Sequence, residues 1–192
     1  MGAEQPPTRE EFSEATGHVR YEMDMLIGTN RLIPQKWETN AVQYALIESF
    51  LIHARNLIVF FADDRREKNN FPKDVWASDY EPTWKGSEGQ KDAGKLRDMY
   101  KDRIDKTVAH LTTTRIQEAL REWDFDGIRR SCIEVWDSFA VVLGGNSKWG
   151  EFTKPLPMVE TNYGAVGNTS TSVFATHVKL WPSPNQDDKV DS

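Results

Sequence analysis

The chain has 192 residues, with 24 Lys and Arg against 30 Asp and Glu and a single cysteine. Its length suits one domain plus an extension, and the formal net charge of −6 argues against a protein that coats nucleic acid by charge alone. Cys132 has no partner for an internal disulfide and fits a reducing compartment. The N-terminus lacks the basic and apolar regions of a secretory signal. The longest apolar stretch, 41–62, is interrupted by Gln43, Glu48, His53, Arg55 and Asn56, so no membrane span and a cytoplasmic location are expected.

In chain order, Thr8 with Glu11 three residues later reads as a capping box that opens a helix through about Leu26. Phe12, Val19, Met23 and Leu26 recur at helical spacing within it. Gly28 and Pro34 are expected to break the chain, and Asn40 with Gln43 to start the strongest helix, running to about Ala62. Its apolar stripe (Leu46, Phe50, Leu57 and Phe61, widened by Ile47, Leu51, Ile58 and Val59) is broad enough for burial between neighbours. A polar turn at 63–70 leads to a short helix that begins at Lys73 or Asp74 and ends near Pro82.

Residues 85–92 read as a loop, followed by a helix from about Ala93 to Leu111 with Leu96, Tyr100, Ile104 and Val108 inward. A Thr112–Thr114 hinge and a short helix to Trp123 come next. Asp124 then caps a helix lined by Ile128, Cys132, Val135, Trp136, Phe139 and Leu143, which Gly144 and Gly145 end. From Asn146 the composition turns to Gly, Ser, Thr, Asn and Pro, with one extended segment expected at 172–181 and a mobile end. The expected architecture is all-α: an antiparallel bundle of four principal helices with short accessory helices over 1–145, and an irregular, partly disordered C-terminal extension over 146–192.

The segment 91–121 holds eight basic residues against five acids, a local excess within an acidic protein. In it Arg103 and His110 stand seven apart, nearly two α-helical turns, so both share a face about 10.5 Å apart along the axis, with Lys106 between them. His is a general acid/base near neutral pH, and Arg braces a phosphoryl group through a bidentate fork. Together they suffice for metal-independent RNA cleavage. The same residues also suit a polar contact at a helix end and a solvated face.

The run 104–112, following a buried helix that contains His53-Ala54-Arg55-Asn56-Leu57, resembles the HEPN superfamily. That superfamily comprises compact helical domains, often dimeric, found in prokaryotic toxins and defence systems. Its motif is Arg, four to six residues, then His. Many members are ribonucleases whose cleft forms where two protomers meet, and others are purely structural. The resemblance implies Arg103 and His110 as catalytic residues, a homodimer, RNA as substrate, and a possible protein partner or antitoxin; no cofactor is implied. Here Ile104 follows Arg103 and the acidic Asp105 comes one later.

Further candidates lie in the apolar helix, where polar groups need partners. Glu48 is expected to meet Arg103 or Arg55, and Glu48 and Asn56 to support Arg103 and His110; a salt bridge or a His–Glu contact tying two helices is the structural alternative. Asp63, Asp64, Asp74 and Asp79 supply oxygens but no metal-binding spacing, and no metal is expected. Trp76, Tyr80 and Trp84, four apart, suit a recognition surface or the packing of a small helix, and Cys132 a core thiol. Two functions therefore stand: a metal-independent endoribonuclease, and a non-catalytic helical binding or scaffold module using the same cleft or the Trp76–Trp84 surface.

Overall fold

Four long helical segments run up and down against one another, and the apolar stripes read from the sequence meet at their centre. The computed structural model describes residues 8–36, 39–63, 74–109, 123–144, 149–157 and 177–178. The polar stretch 64–70, Leu111, the Thr112–Thr114 hinge, the helix expected before Trp123, Gly145, and the chain from 158 onward apart from 177–178 lie outside the described residues.

Helix α1 spans Arg9–Leu32 and opens on the expected capping box, with the Thr8 N–H donating to Glu11 Oε2 at 2.6 Å and the Glu11 N–H to Thr8 Oγ1 at 3.3 Å. It does not end near Leu26. Gly28 lies inside it with open space around its Cα. A helical glycine costs roughly 1 kcal/mol, which the buried stripe of Val19, Met23, Leu26, Ile27 and Ile33 outweighs. The helix stops where Pro34 withholds an N–H.

Helix α2 spans Asn40–Ala62, with Thr39 rather than Asn40 at its N-cap and Asp63 in the left-handed region (φ 51°, ψ 50°) at its C-cap. By length and composition alone α2 is apolar enough to cross a membrane, contrary to the sequence expectation. In the fold its apolar surface is instead largely met by neighbours: Ile47, Phe50, Leu51, Ala54, Leu57 and Phe61 are each no more than 1% exposed.

The accessory helix begins later than expected, as α3 (Ala77–Tyr80), followed by a 3-10 turn at Pro82–Trp84. Asp74 precedes the helix rather than capping it; the side chain that accepts the Trp76 N–H, at 3.0 Å, belongs to Asp79. Trp76, Tyr80 and Trp84 are all buried, so they form core and not a recognition surface. Trp84 Nε1 donates to the Phe61 carbonyl at 2.8 Å, which pins the accessory turn to the end of α2.

The third long helix starts within the segment expected to be a loop. Helix α4 is Glu88–Leu96, capped by Ser87, whose hydroxyl accepts the Gln90 N–H at 3.1 Å. It continues without a break into a π-helical turn (Arg97–Lys101), a short α5 (Asp102–Ile104) and a second π-helical turn (Asp105–Ala109). Asp124 caps α6 (Phe125–Val142) as expected, accepting the Gly127 N–H at 2.8 Å, and Gly144 follows its end at φ +59°. Cys132 is a buried core thiol on α6, and burial pushes its pKa up to about 12.

Cross-contacts fix the antiparallel order. Glu22 of α1 meets His53 of α2, while Tyr80, next to the far end of α2, donates to the Phe12 carbonyl near the start of α1. Gln90 reaches Ala62 at the end of α2, whereas Asp105 meets Arg55 further back. Asn30, late in α1, donates to Asp126 at the start of α6 at 2.9 Å. A small helix α7 (Gly150–Thr153) completes the body: its Phe152 is 1% exposed and packs on Phe60, Tyr80, Trp136 and Phe139. Arg20 of α1 holds the adjoining chain by donating to the carbonyls of Glu151, Lys154 and Pro155 at 3.3, 3.1 and 2.9 Å. The expected extended segment is seen at 177–178, where strand β2 (His177–Val178) pairs antiparallel with β1 (Trp123–Asp124).

Candidate functional site

Arg103 sits on α5, between the two π-helical turns, and its guanidinium carbon lies 3.8 Å from the ring centroid of the fully buried Trp123. Tyr100, one turn earlier, feels Asp124, Arg103 and Cys132; its hydroxyl pKa is raised, first by burial and then by Asp124, against the opposing pull of Arg103. Arg103 is half-buried and Lys106 is exposed. A face shared by residues seven apart requires uninterrupted α-geometry. A π-helical turn closes i→i+5 bonds and advances less per residue around the axis, so the 3.6-residue relation does not carry across 105–109. His110 itself lies outside the described residues.

The remaining candidates take other partners. Glu48 is exposed on the outer side of α2. The carboxylate that Arg55 meets belongs to Asp105, and Lys101 Nζ reaches the other oxygen of that carboxylate at 3.1 Å. Burial raises the Asp105 pKa, but the hydrogen bonds and charges of Arg55 and Lys101 outweigh it and hold the carboxyl below its ordinary value. Asn56 faces α1, where its Nδ2 donates to Glu22 Oε2 at 3.1 Å. His53 Nδ1 lies 2.6 Å from the same oxygen, so a His–Glu contact ties α1 to α2, with Glu22 as its carboxylate.

These bonds form one wall of a cleft of about 490 Å³ between α1, α2 and the 74–76 strand of chain. Val19, Leu57, Phe60 and Trp76 supply an apolar lining, and Glu11, His18, Glu22, Arg55, Asn56 and Asp74 supply the polar groups. The size and the few convergent polar groups are those of a small-molecule pocket. Among the described residues no three His, Cys, Asp or Glu side chains converge as a metal site. Sequence reasoning missed this cleft. Its one local signal is His18 and Glu22, four apart on one helix face, and the partners of Glu22 lie more than thirty residues away.

In comparisons with protein-family models, curated proteins and solved structures, the chain matches none.

Proposed function

We propose that this chain is a non-catalytic helical binding module built on a HEPN-like bundle. The observation that carries this reading is the seat of Arg103 over the buried Trp123 ring. Desolvated stacking of this kind ties the third helix to the start of α6. The stack occupies the face of the guanidinium and gives Arg103 a structural role, while the in-plane fork is the part that a phosphate would take. The cleft between α1 and α2, by contrast, offers a carboxylate already oriented by His53 and Asn56.

A second reading is a metal-independent endoribonuclease of a prokaryotic toxin or defence system, acting as a cytoplasmic homodimer. His110 would be the acid/base, Arg103 the phosphate clamp and Lys106 a source of positive potential. It is favoured by the π-helical turns on either side of Arg103, since such irregularities recur at functional sites, and by the exposure of Lys106.

Cleavage of a mixed RNA substrate in EDTA by wild type, Arg103→Ala and His110→Ala, each shown to be folded, separates the two. The module reading expects no cutting by any of the three. Cutting by wild type that is lost in both variants overturns it in favour of the nuclease.

A further inference from the structure

We infer that the groove between α4 and α6 is a weak, two-fold self-association surface, covered in solution by the same groove of a second copy of this chain. It uses neither the α1–α2 cleft nor Arg103, so it stands or falls apart from both functional readings. The groove encloses about 350 Å³ over an apolar floor of Leu96 and Val135. Ser131 and Ser138, two turns apart on α6, are short side chains that keep its α6 wall low.

On the other side stands Met99, 62% exposed, and three residues past Ser138 on α6 stands Val141, 78% exposed. These are the two most exposed large apolar side chains among the described residues. A face that carries both knobs and a hollow is complementary to a copy of itself.

The register of α4 against α6 sets how two copies meet. The helices are antiparallel, with Gly89 against Ser138 at one end and Tyr100 beside Cys132 further along. Between those marks Lys95 stands level with Glu134 and Met99 with Ser131, each to within about one helical turn. A two-fold axis parallel to the helices lays α4 of each copy over α6 of the other, antiparallel and at the same level, as in a four-helix bundle. Met99 of one copy then meets the low wall at Ser131 of the other.

Charge fits the same arrangement. Glu134 is exposed and has no cation among the described residues. Lys95 is paired with Asp92 at 2.7 Å, but the two side chains are 73% and 55% exposed, so the pair is weak. Between two copies each Lys95 lies between its own Asp92 and Glu134 of the other, and screens the two carboxylates from each other.

Size sets the strength. The helix from Glu88 to Lys101 is about 20 Å long and two helices side by side are about 20 Å wide. The face therefore covers roughly 400 Å², about half of what a standard interface buries per partner. That places the dissociation constant on the order of 10–100 μM.

Sedimentation velocity of the full chain from about 5 to 500 μM spans that range and is the test. A monomer–dimer equilibrium is expected. Met99→Glu, an exposed change, is expected to leave monomer throughout, and Ile52→Glu on the exposed side of α2 to change nothing. Lys95→Glu and Glu134→Lys alone should each weaken the dimer by about tenfold, because each acts twice across the axis, and the two together should restore it. Circular dichroism checks that each variant is folded. Wild type that stays monomeric at every concentration overturns the assignment. So does a dimer that survives Met99→Glu, or a double charge exchange that associates no better than either single variant.

Discussion

Arg103 and Trp123 form a cation–π stack, with the guanidinium carbon 3.8 Å from the ring centroid, between α5 and the residue two before α6. Trp123 is fully buried, so the ring face that Arg103 covers is withheld from solvent. Arg103→Ala should therefore lower stability by about 1–2 kcal/mol, and Arg103→Lys by less, because a lysine keeps the charge but loses the flat stacking surface. Urea unfolding of the three proteins measures this. An Arg103→Ala protein as stable as wild type would show that the stack is incidental and would free Arg103 for a role toward a ligand.

Asp105 predicts an acid-dependent loss of stability. Its carboxyl accepts from Arg55 across the helix pair and from Lys101 one turn back, and its folded pKa lies below the ordinary value. Stabilisation from such a group is complete above the unfolded pKa of about 3.9 and fades as pH falls from there through the lower folded value. Asp105→Asn should destabilise the protein at neutral pH and flatten the decline in melting temperature between about pH 5 and pH 2. An unchanged acid limb in the variant would place the pH dependence on other carboxylates.

Glu22, His53 and Asn56 predict strong coupling between α1 and α2. His53 is 9% exposed, so removing Glu22 strands its ring donor away from water, whereas half-buried Asn56 lines the open cleft. Glu22→Ala should cost about 1–3 kcal/mol, more than the net worth of its bonds, because the stranded donor keeps its desolvation cost. A double-mutant cycle with His53→Ala should give a coupling of about 1–2 kcal/mol. Additive effects would show that the 2.6 Å contact contributes nothing specific.

The helices were legible because their periodicity is local. Thr8 with Glu11 and Asp124 before Gly127 marked two of the long helices, and the stripes from Leu57 and Phe61 to Trp136 and Phe139 did bury. The errors came where packing overrode propensity. Gly28 is carried inside α1 by the apolar residues on either side of it. The start of α4 was hidden in a glycine-rich run, although Ser87 with Gln90 three later has the spacing of a capping box. The site was much less legible. Charge and spacing drew attention to Arg103, Lys106 and His110, but nothing local encodes a π-helical turn or says that Asp105, not Glu48, meets Arg55. The cleft is assembled from α1 and α2 residues that only tertiary folding brings together.

The crossing of α4 and α6 yields a prediction that opposes simple helix propensity. A Cβ on Gly89 would stand 2.5 Å from Trp84 Cη2 and 2.9 Å from Ser138 Cβ, whereas a Cβ on Gly94 in the same helix meets nothing within 4 Å. Gly94 is interior to the helix, where propensity favours alanine by roughly 1 kcal/mol, whereas Gly89 is the second residue of α4 and gains less. At Gly94 that gain should appear, and Gly94→Ala should raise the melting temperature. At Gly89 the neighbour is a fully buried tryptophan held by its bond to the Phe61 carbonyl, and overpacking of that kind costs about 1–3 kcal/mol. Gly89→Ala should therefore be destabilising by about 1–2 kcal/mol relative to wild type, once the propensity gain is subtracted. Thermal melts of the two variants side by side decide it: if Gly89→Ala melts as high as Gly94→Ala, α4 and α6 are not in the close contact that seats Trp84 between them.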